Sequence, residues 1–200
     1  WTEERIEELR KVPLMNHEKQ VLYYTDNQLN IKLAKKVQNQ IKKSGLPIIS
    51  ASLKPMDKMG KNVRIKGERG VLSYFRQIVA GLKASTAEYV FFCEHDVLYH
   101  PSHFDFTPPT KDKFYYNTNV WRVRSDGFAV TWEANQVAEL CCARELALEF
   151  YREKLKQVEA GDFDRSYEPG GRDSTKYGQW RSEFPNIDIR HEGNLTKSKS

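Results

Sequence analysis

Between Gln20 and Cys93 the chain alternates apolar runs of strand length with segments of helical period, and this alternation restricts the fold more than any other feature. Gln20-Val21-Leu22-Tyr23-Tyr24-Thr25 reads as a strand, with Asp26-Asn27 as a turn or helix cap. Leu29, Ile31, Leu33, Ala34, Val37 and Ile41 recur at largely helical spacing as far as Lys43, and Ser44-Gly45 stops the helix. Pro47 to Leu53 is a second strand. Val71, Leu72, Phe75, Ile78, Val79 and Leu82 lie along one face of a second helix, and Tyr89-Val90-Phe91-Phe92-Cys93 is a third strand. Strand, helix and strand in succession favour a parallel sheet joined by right-handed crossovers. Ahead of this unit, residues 2–12 read as a short charged helix capped by Thr2 and ended by Pro13.

The remaining segments have less regular patterns. Lys54 to Gly70 is a long, polar, basic connection without strong periodicity. After the loop marked by Pro101, Pro108 and Pro109, two strands are expected at Phe114–Val123 and Phe128–Trp132, around a turn at Ser125-Asp126-Gly127. Val137, Leu140, Cys141, Leu146, Phe150 and Leu155 mark a helix of about five turns. Ile187-Asp188-Ile189-Arg190 is the last strand-like piece, ending at His191.

Two hundred residues, 39% hydrophobic and 30% charged, suit one globular domain with a sizeable core. No run of about 18 uncharged apolar residues exists, so no membrane span is expected. Cys93, Cys141 and Cys142 form neither a disulfide framework nor a CxxC site; they read as buried free thiols in a reducing compartment, and with no secretory signal visible the expected location is cytoplasmic. A net charge of +5 is compatible with anionic partners such as nucleotides, phosphates or nucleic acid.

Glu94-His95-Asp96 follows the third strand. Charged carboxylates at the end of a buried run need a cation, hydrogen bonds or a metal. Residues i and i+2 leave an extended segment on one side, so Glu94 and Asp96 are expected to aim together at one ion, with His95 turned away or supplying a nitrogen. The carboxyl end of such a strand is where open α/β sheets bind ligands. Mg²⁺ and Mn²⁺ take oxygen ligands, often one or two carboxylates together with substrate phosphates. No Gly-x-Gly-x-x-Gly or Walker-type loop is present.

The order β-α-β, basic loop, helix, strand and acidic triplet resembles the GT-A glycosyltransferases, particularly the family-2-like members. Glu94-His95-Asp96 is similar to their Asp-x-Asp-type motif, and Arg76-Gln77 with Ala87-Glu88-Tyr89-Val90 stands where many members carry an Arg-Asn pair and an Ala/Gly-Glu-Tyr-hydrophobic sequence. The resemblance implies an α/β GT-A (Rossmann-like) mixed sheet flanked by helices. It also implies one catalytic domain over 1–200, with a nucleotide-sugar half at about 18–100 and an acceptor half at about 101–200.

The resemblance further implies that Asp96 ligates Mn²⁺ or Mg²⁺, that Glu94 binds the metal through water or contacts ribose, and that His191 returns to the same metal. Tyr24, Thr25 and Asp26 then meet the base and ribose, Tyr24 by stacking. Lys54, Arg76 and Lys197 approach phosphate. Glu133, Glu168 and Asp173 are the candidates for a base that deprotonates an acceptor hydroxyl. The family's Glu-Asp pair is not evident, which leaves the base and the stereochemistry open.

Trp121 and Trp132 are expected in the core and Trp180 is a candidate for stacking on sugar, while His17, His100 and His103 read as surface or loop residues. The donor implied is a nucleotide-diphosphate sugar; the acceptor is a glycan, a small molecule or a nucleic acid. Two other readings stand beside this one: a nucleotidyltransferase on a similar core, and a non-catalytic nucleic-acid-binding module using the basic loop.

Overall fold

The computed structural model describes residues 18–131, 133–164, 166–171 and 173–191. The expected helix at 2–12, Trp132 and Lys197 lie outside them. In chain order the elements are β1 (Lys19–Thr25), α1 (Ile31–Lys42), β2 (Ile48–Ser52), β3 (Lys61–Arg64), α2 (Val71–Ala84), β4 (Tyr89–Glu94) and β5 (Val97–Leu98). They continue with β6 (Phe114–Asn117), β7 (Val120–Arg124), β8 (Ala129–Val130), β9 (Leu140–Ala143), α3 (Arg144–Ala160), β10 (Tyr177–Trp180) and β11 (Asn186–Arg190).

Seven strands form one mixed sheet in the order β10-β6-β9-β4-β1-β2-β3. The expected parallel unit is present: β1 pairs in parallel with both β2 and β4. β9 runs antiparallel to β4 and β6, inserting later chain beside the first unit. Successive side chains of a strand point to opposite faces, and both faces of this sheet are covered. Leu22, Val90, Phe92, Leu140 and Cys142 pack with Phe75, Ile78 and Leu82 of α2 and with Leu148 and Tyr151 of α3. Val21, Tyr23, Phe91, Cys93 and Cys141 pack on the other face with Val37 and Ile41 of α1 and with Tyr99 and Phe104. Cys141 and Cys142 therefore face opposite cores, and all three cysteines are buried and free.

Local chemistry sets the helix ends. Asn30, rather than Asp26 or Asn27, caps α1 by accepting hydrogen bonds from the N–H groups of Lys32 and Leu33. Gly161 closes α3 in the left-handed conformation, φ 81°.

The second half departs from the sequence pattern in three places. The expected helix from Val137 begins only at Arg144. Val137–Glu139 is a 3₁₀ turn, and Leu140–Ala143 is a central strand buried on both faces, an environment in which a short apolar run carries no distinguishing period. The expected strand Phe114–Val123 breaks at Thr118-Asn119. There the buried Asn117 side chain accepts from the N–H groups of Asn119 and Ser182, and β6 and β7 part into different sheets. The connection 54–70 contains the edge strand β3, and β10 was not expected at all.

A second sheet, β5-β11-β7-β8, stands beside the carboxyl end of β4. Its strands are in register across Val97, Asp188, Arg122 and Val130, and across Leu98, Ile187 and Trp121. Trp121 is 38% exposed, so the core placement expected for it is corrected. His103, expected at the surface, is fully buried. Side-chain amides of Asn117 and Asn186 lie 3.1 and 3.0 Å from its Nδ1, and burial pushes its pKa down to about 3, which keeps the ring neutral.

Candidate active site

A cavity of about 390 Å³ opens at the carboxyl ends of β1 and β4. Thr25, Asp26, Glu94, His95 and Asp96 come from those strand ends. The first turns of α2 contribute Gly70, Ser73, Tyr74 and Gln77; the small sheet contributes Arg122, Asp188 and Arg190; the segment after α3 adds Tyr167 and Glu168. A second hollow of about 410 Å³ adjoins it and shares Asp26, Leu53 and Arg69.

The acidic triplet is not extended. Glu94 ends β4, while His95 and Asp96 form the turn into β5. The expectation that Glu94 and Asp96 share one side of a strand is thereby corrected, because the turn interrupts the two-residue alternation. Tyr99 fixes the turn from below: its hydroxyl accepts from the Glu94 N–H and donates to the Ala138 carbonyl, each at 2.9 Å. The Ile189 N–H donates to the Asp96 carbonyl at 2.9 Å, which ties β11 to the turn and brings His191 to it.

His191 Nε2 lies 3.4 Å from Asp96 Oδ2, and donor atoms of His95, Asp96 and His191 all fall within 4.8 Å of one another. Two imidazoles and a carboxylate that converge in this way fit a divalent cation. His95 Nδ1 is 2.8 Å from the Thr25 hydroxyl and 3.4 Å from Asp26 Oδ1, contacts that set the orientation of the ring. Burial works to raise the Asp96 pKa, but the hydrogen bond to His191 and the charges of His95 and His191 hold it below the ordinary aspartate value. Glu94 is pushed the other way, first by burial and then by the neighbouring Asp96 charge, and it accepts a hydrogen bond from the Tyr24 hydroxyl at 2.9 Å.

Among the described residues, three arginines border the cavity. Arg69 reaches it from the loop before α2 and pairs with Asp26 at 2.6 Å. Arg122 pairs with Asp188 at 2.9 Å and donates to Gln136 at 3.0 Å, and Arg190 lies 3.8 Å from Asp188. Gln77 of α2 donates to the carbonyls of Thr25 and Ala51, locking the ends of β1 and β2 under the cavity floor.

No protein-family model and no curated protein matches this sequence. Solved structures match it in shape. A glycosyltransferase involved in the glycosylation of the major capsid of PBCV-1 aligns with a TM-score of 0.53 and 8% identity, over 85% of this chain and 92% of that one. The apo-form glycosyltransferase GlyE of Streptococcus pneumoniae TIGR4 gives 0.51 and 12%, over 83% of this chain but 46% of its own length. HddC from Yersinia pseudotuberculosis gives 0.50 and 10%, over 86% and 93%. The chain has a GT-A-like fold.

On this GT-A-like frame the sequence-derived candidates fall into two groups. Tyr24, Thr25, Asp26, Glu94, Asp96 and Glu168 line one cavity, and His191 joins them through Asp96. Tyr24 is only 4% exposed, with its ring edge-on to Tyr74, so it braces Glu94 and does not offer the stacking face expected of it. Tyr74 and Tyr167 are further aromatic side chains at the wall.

The other candidates stand apart from the cavity. Arg76 lies on the outside of α2, where it pairs with Glu159 of α3 at 3.0 Å, so its expected approach to phosphate is corrected. Asp173 is exposed, and its carboxylate accepts from the N–H and hydroxyl of Thr175 in a local turn. Glu133 is exposed and precedes the lining residue Ala134 without lining the cavity itself. Lys54 is exposed and borders the neighbouring hollow. Trp180 stacks on Phe106 at 4.4 Å with the rings 3° from parallel, which places it in packing rather than at the cavity.

Arg69, Arg122 and Asp188 were not singled out from sequence, and Gln77 was named only as part of the pair Arg76-Gln77 that carries the resemblance. Asp188 and Arg190 carried a local signal, two charges alternating with two isoleucines in a strand-like run.

Proposed function

We propose that this chain is a metal-dependent glycosyltransferase that moves a sugar from a nucleotide-diphosphate sugar to an acceptor hydroxyl. The observation that carries the reading is the convergence of His95, Asp96 and His191 at the carboxyl end of β4, where His95 and Asp96 line the cavity that the start of α2 also lines. Two imidazoles in the donor set favour Mn²⁺ over Mg²⁺, which prefers oxygen ligands. A bound divalent cation supplies charge neutralisation for a leaving diphosphate.

The chain's own groups do the rest. Gly70 caps α2 without a side-chain hydrogen bond, so the N–H groups of its first turn and the positive end of the helix dipole are available to phosphate oxygens. Arg69, immediately before that cap, adds a fixed positive charge held by Asp26. Tyr74 and Tyr167 offer aromatic surface for a base or sugar ring.

Glu168 is the candidate base that lines the cavity. Burial raises its pKa above the ordinary glutamate value, with hydrogen bonds from the backbone of Glu168 and Tyr167 opposing, and a raised pKa makes the carboxylate a stronger proton acceptor. That two of the structures sharing the fold are described as glycosyltransferases is consistent with this reading.

A thermal-unfolding screen of nucleotide-diphosphate sugars tests it. One nucleotide family is expected to raise the melting temperature in the presence of Mn²⁺ and to do nothing after chelation, since a ligand bound to the folded state alone stabilises it by mass action. Absence of any Mn²⁺-dependent shift across uridine, guanosine, cytidine, adenosine and thymidine donors speaks against the proposal.

A further inference from the structure

Glu168 belongs to no helix or strand. Gly161 ends α3, β10 starts at Tyr177, and Glu168 lies in the connection between them. A side chain on such a connection keeps a fixed direction only where its backbone is held. This connection is held before and after Glu168.

The first hold comes from α3. The Lys154 side chain is only 12% exposed, and its Nζ lies 3.1 Å from Asp164 Oδ1 and 2.6 Å from Ser166 Oγ. Asp164 Oδ1 also accepts from the N–H and hydroxyl of Ser166, at 3.0 and 2.6 Å, closing a local turn. Next in the chain, the Tyr167 ring stacks on Phe75 of α2, with centroids 5.8 Å apart and planes 10° from parallel. Tyr74 and Phe163 stand edge-on to it.

The hold after Glu168 comes from the main sheet. Tyr116 of β6 is fully buried, and its hydroxyl donates to the Pro169 carbonyl at 2.6 Å. Pro169 is itself buried. Its ring fixes φ and leaves it no N–H, so its carbonyl is the main-chain group that can anchor it. A following proline also keeps Glu168 out of the helical region. Gly170 and Gly171 then turn the chain away in left-handed conformations, φ 83° and 54°.

Packing alone does not call for a tyrosine at 116. A phenylalanine fills the same place between β9 and β10, against the Tyr177 ring. The hydroxyl adds a contact to the residue that follows Glu168. Tyr115, the next residue on the strand, points to the opposite face of the sheet, where its hydroxyl lies 2.8 Å from that of Thr110.

We propose that Tyr116 is a positioning residue of the active site, aiming the Glu168 carboxylate at the acceptor hydroxyl through its hydrogen bond to the Pro169 carbonyl. This deepens the proposed reaction and rests on Glu168 as its base. Tyr116 does not line the cavity and acts only through the chain at Pro169.

Tyr116→Phe, which keeps the ring, tests the proposal. Turnover is expected to fall about tenfold to a hundredfold, the effect of a displacement near ~1 Å at a reacting group, while calorimetry with nucleoside diphosphate and Mn²⁺ gives an affinity within about twofold of wild type. In a Glu168→Gln background the same change is expected to cause no further loss beyond about twofold, since a base that is absent cannot be misplaced. Hydrogen exchange reports on the hold without any substrate. The amides of Tyr167, Glu168 and Gly170 are expected to exchange about fivefold faster or more once the Pro169 carbonyl loses its donor. Tyr115→Phe removes a hydroxyl from the same strand and is expected to leave turnover and these amides at wild type.

Wild-type turnover or unchanged exchange in Tyr116→Phe overturns the proposal. So does a loss that repeats in full in the Glu168→Gln background, or an equal loss in Tyr115→Phe. Wild-type turnover of Glu168→Gln removes the base assignment and the positioning role with it. A Tyr116→Phe variant of wild-type turnover beside an inactive Glu168→Gln removes only the role of Tyr116.

Discussion

Asp96→Ala is expected to eliminate the Mn²⁺-dependent stabilisation by a nucleotide-diphosphate sugar and to lower transfer by about 10³-fold or more, because the cation's charge stabilisation amounts to several kcal/mol. Asp96 is the single carboxylate in the converging set, buried in the turn after β4, and its pKa is held down by His191 and His95. With it gone, the two imidazoles retain no anionic partner in the set. Arg76→Ala is the informative control. Arg76 belongs to the pattern that resembles the family, yet the fold places it in an exposed ion pair with Glu159, a kind of contact worth roughly 0–1 kcal/mol. That variant is expected to retain donor binding. Calorimetry with the nucleoside diphosphate and Mn²⁺ compares the two, and equal affinity of wild type and Asp96→Ala removes the metal–diphosphate assignment.

Glu168→Gln is expected to reduce turnover by about 10²- to 10⁴-fold, the usual contribution of a general base, while donor affinity stays near wild type. The pH profile gives a second readout. Proton abstraction needs the carboxylate, so activity falls as pH falls through the Glu168 pKa. Burial raises that pKa above the ordinary 4.5, so the acid limb of kcat/KM lies at higher pH than an unperturbed glutamate would give. The limb is expected to disappear in the residual activity of Glu168→Gln. Glu133→Gln and Asp173→Asn, both at exposed positions outside the cavity, are expected to leave turnover within about twofold, as surface changes away from a site do.

The first half of the chain was legible because its chemistry is local. β1, α1, β2, α2 and β4 are apolar runs and helical stripes of ordinary length, and parallel pairing follows from their alternation. The second half is organised by long-range contacts that leave little local trace. Leu140–Ala143 becomes a strand because β4 and β6 flank it, and the break after β6 exists because Asn117 reaches Ser182, 65 residues away.

The candidate site divides along the same line. Glu94 and Asp96 were readable as site residues from their place at the end of a buried strand, whereas Thr25 and Asp26 were reached through the resemblance. Arg69 and Arg122 come to the cavity through a loop and a sheet register, neither of which a spacing rule encodes. Arg76 shows the converse: a residue can match a family's pattern in sequence while its helix turns it outward.

The most direct measurement is product analysis of the wild-type protein incubated with Mn²⁺, a stabilising nucleotide-diphosphate sugar and a mixture of hydroxyl-bearing acceptors. Release of nucleoside diphosphate is expected, with the sugar recovered on an acceptor. A requirement for nucleoside triphosphate with release of pyrophosphate would contradict it and assign the cavity to nucleotidyl transfer.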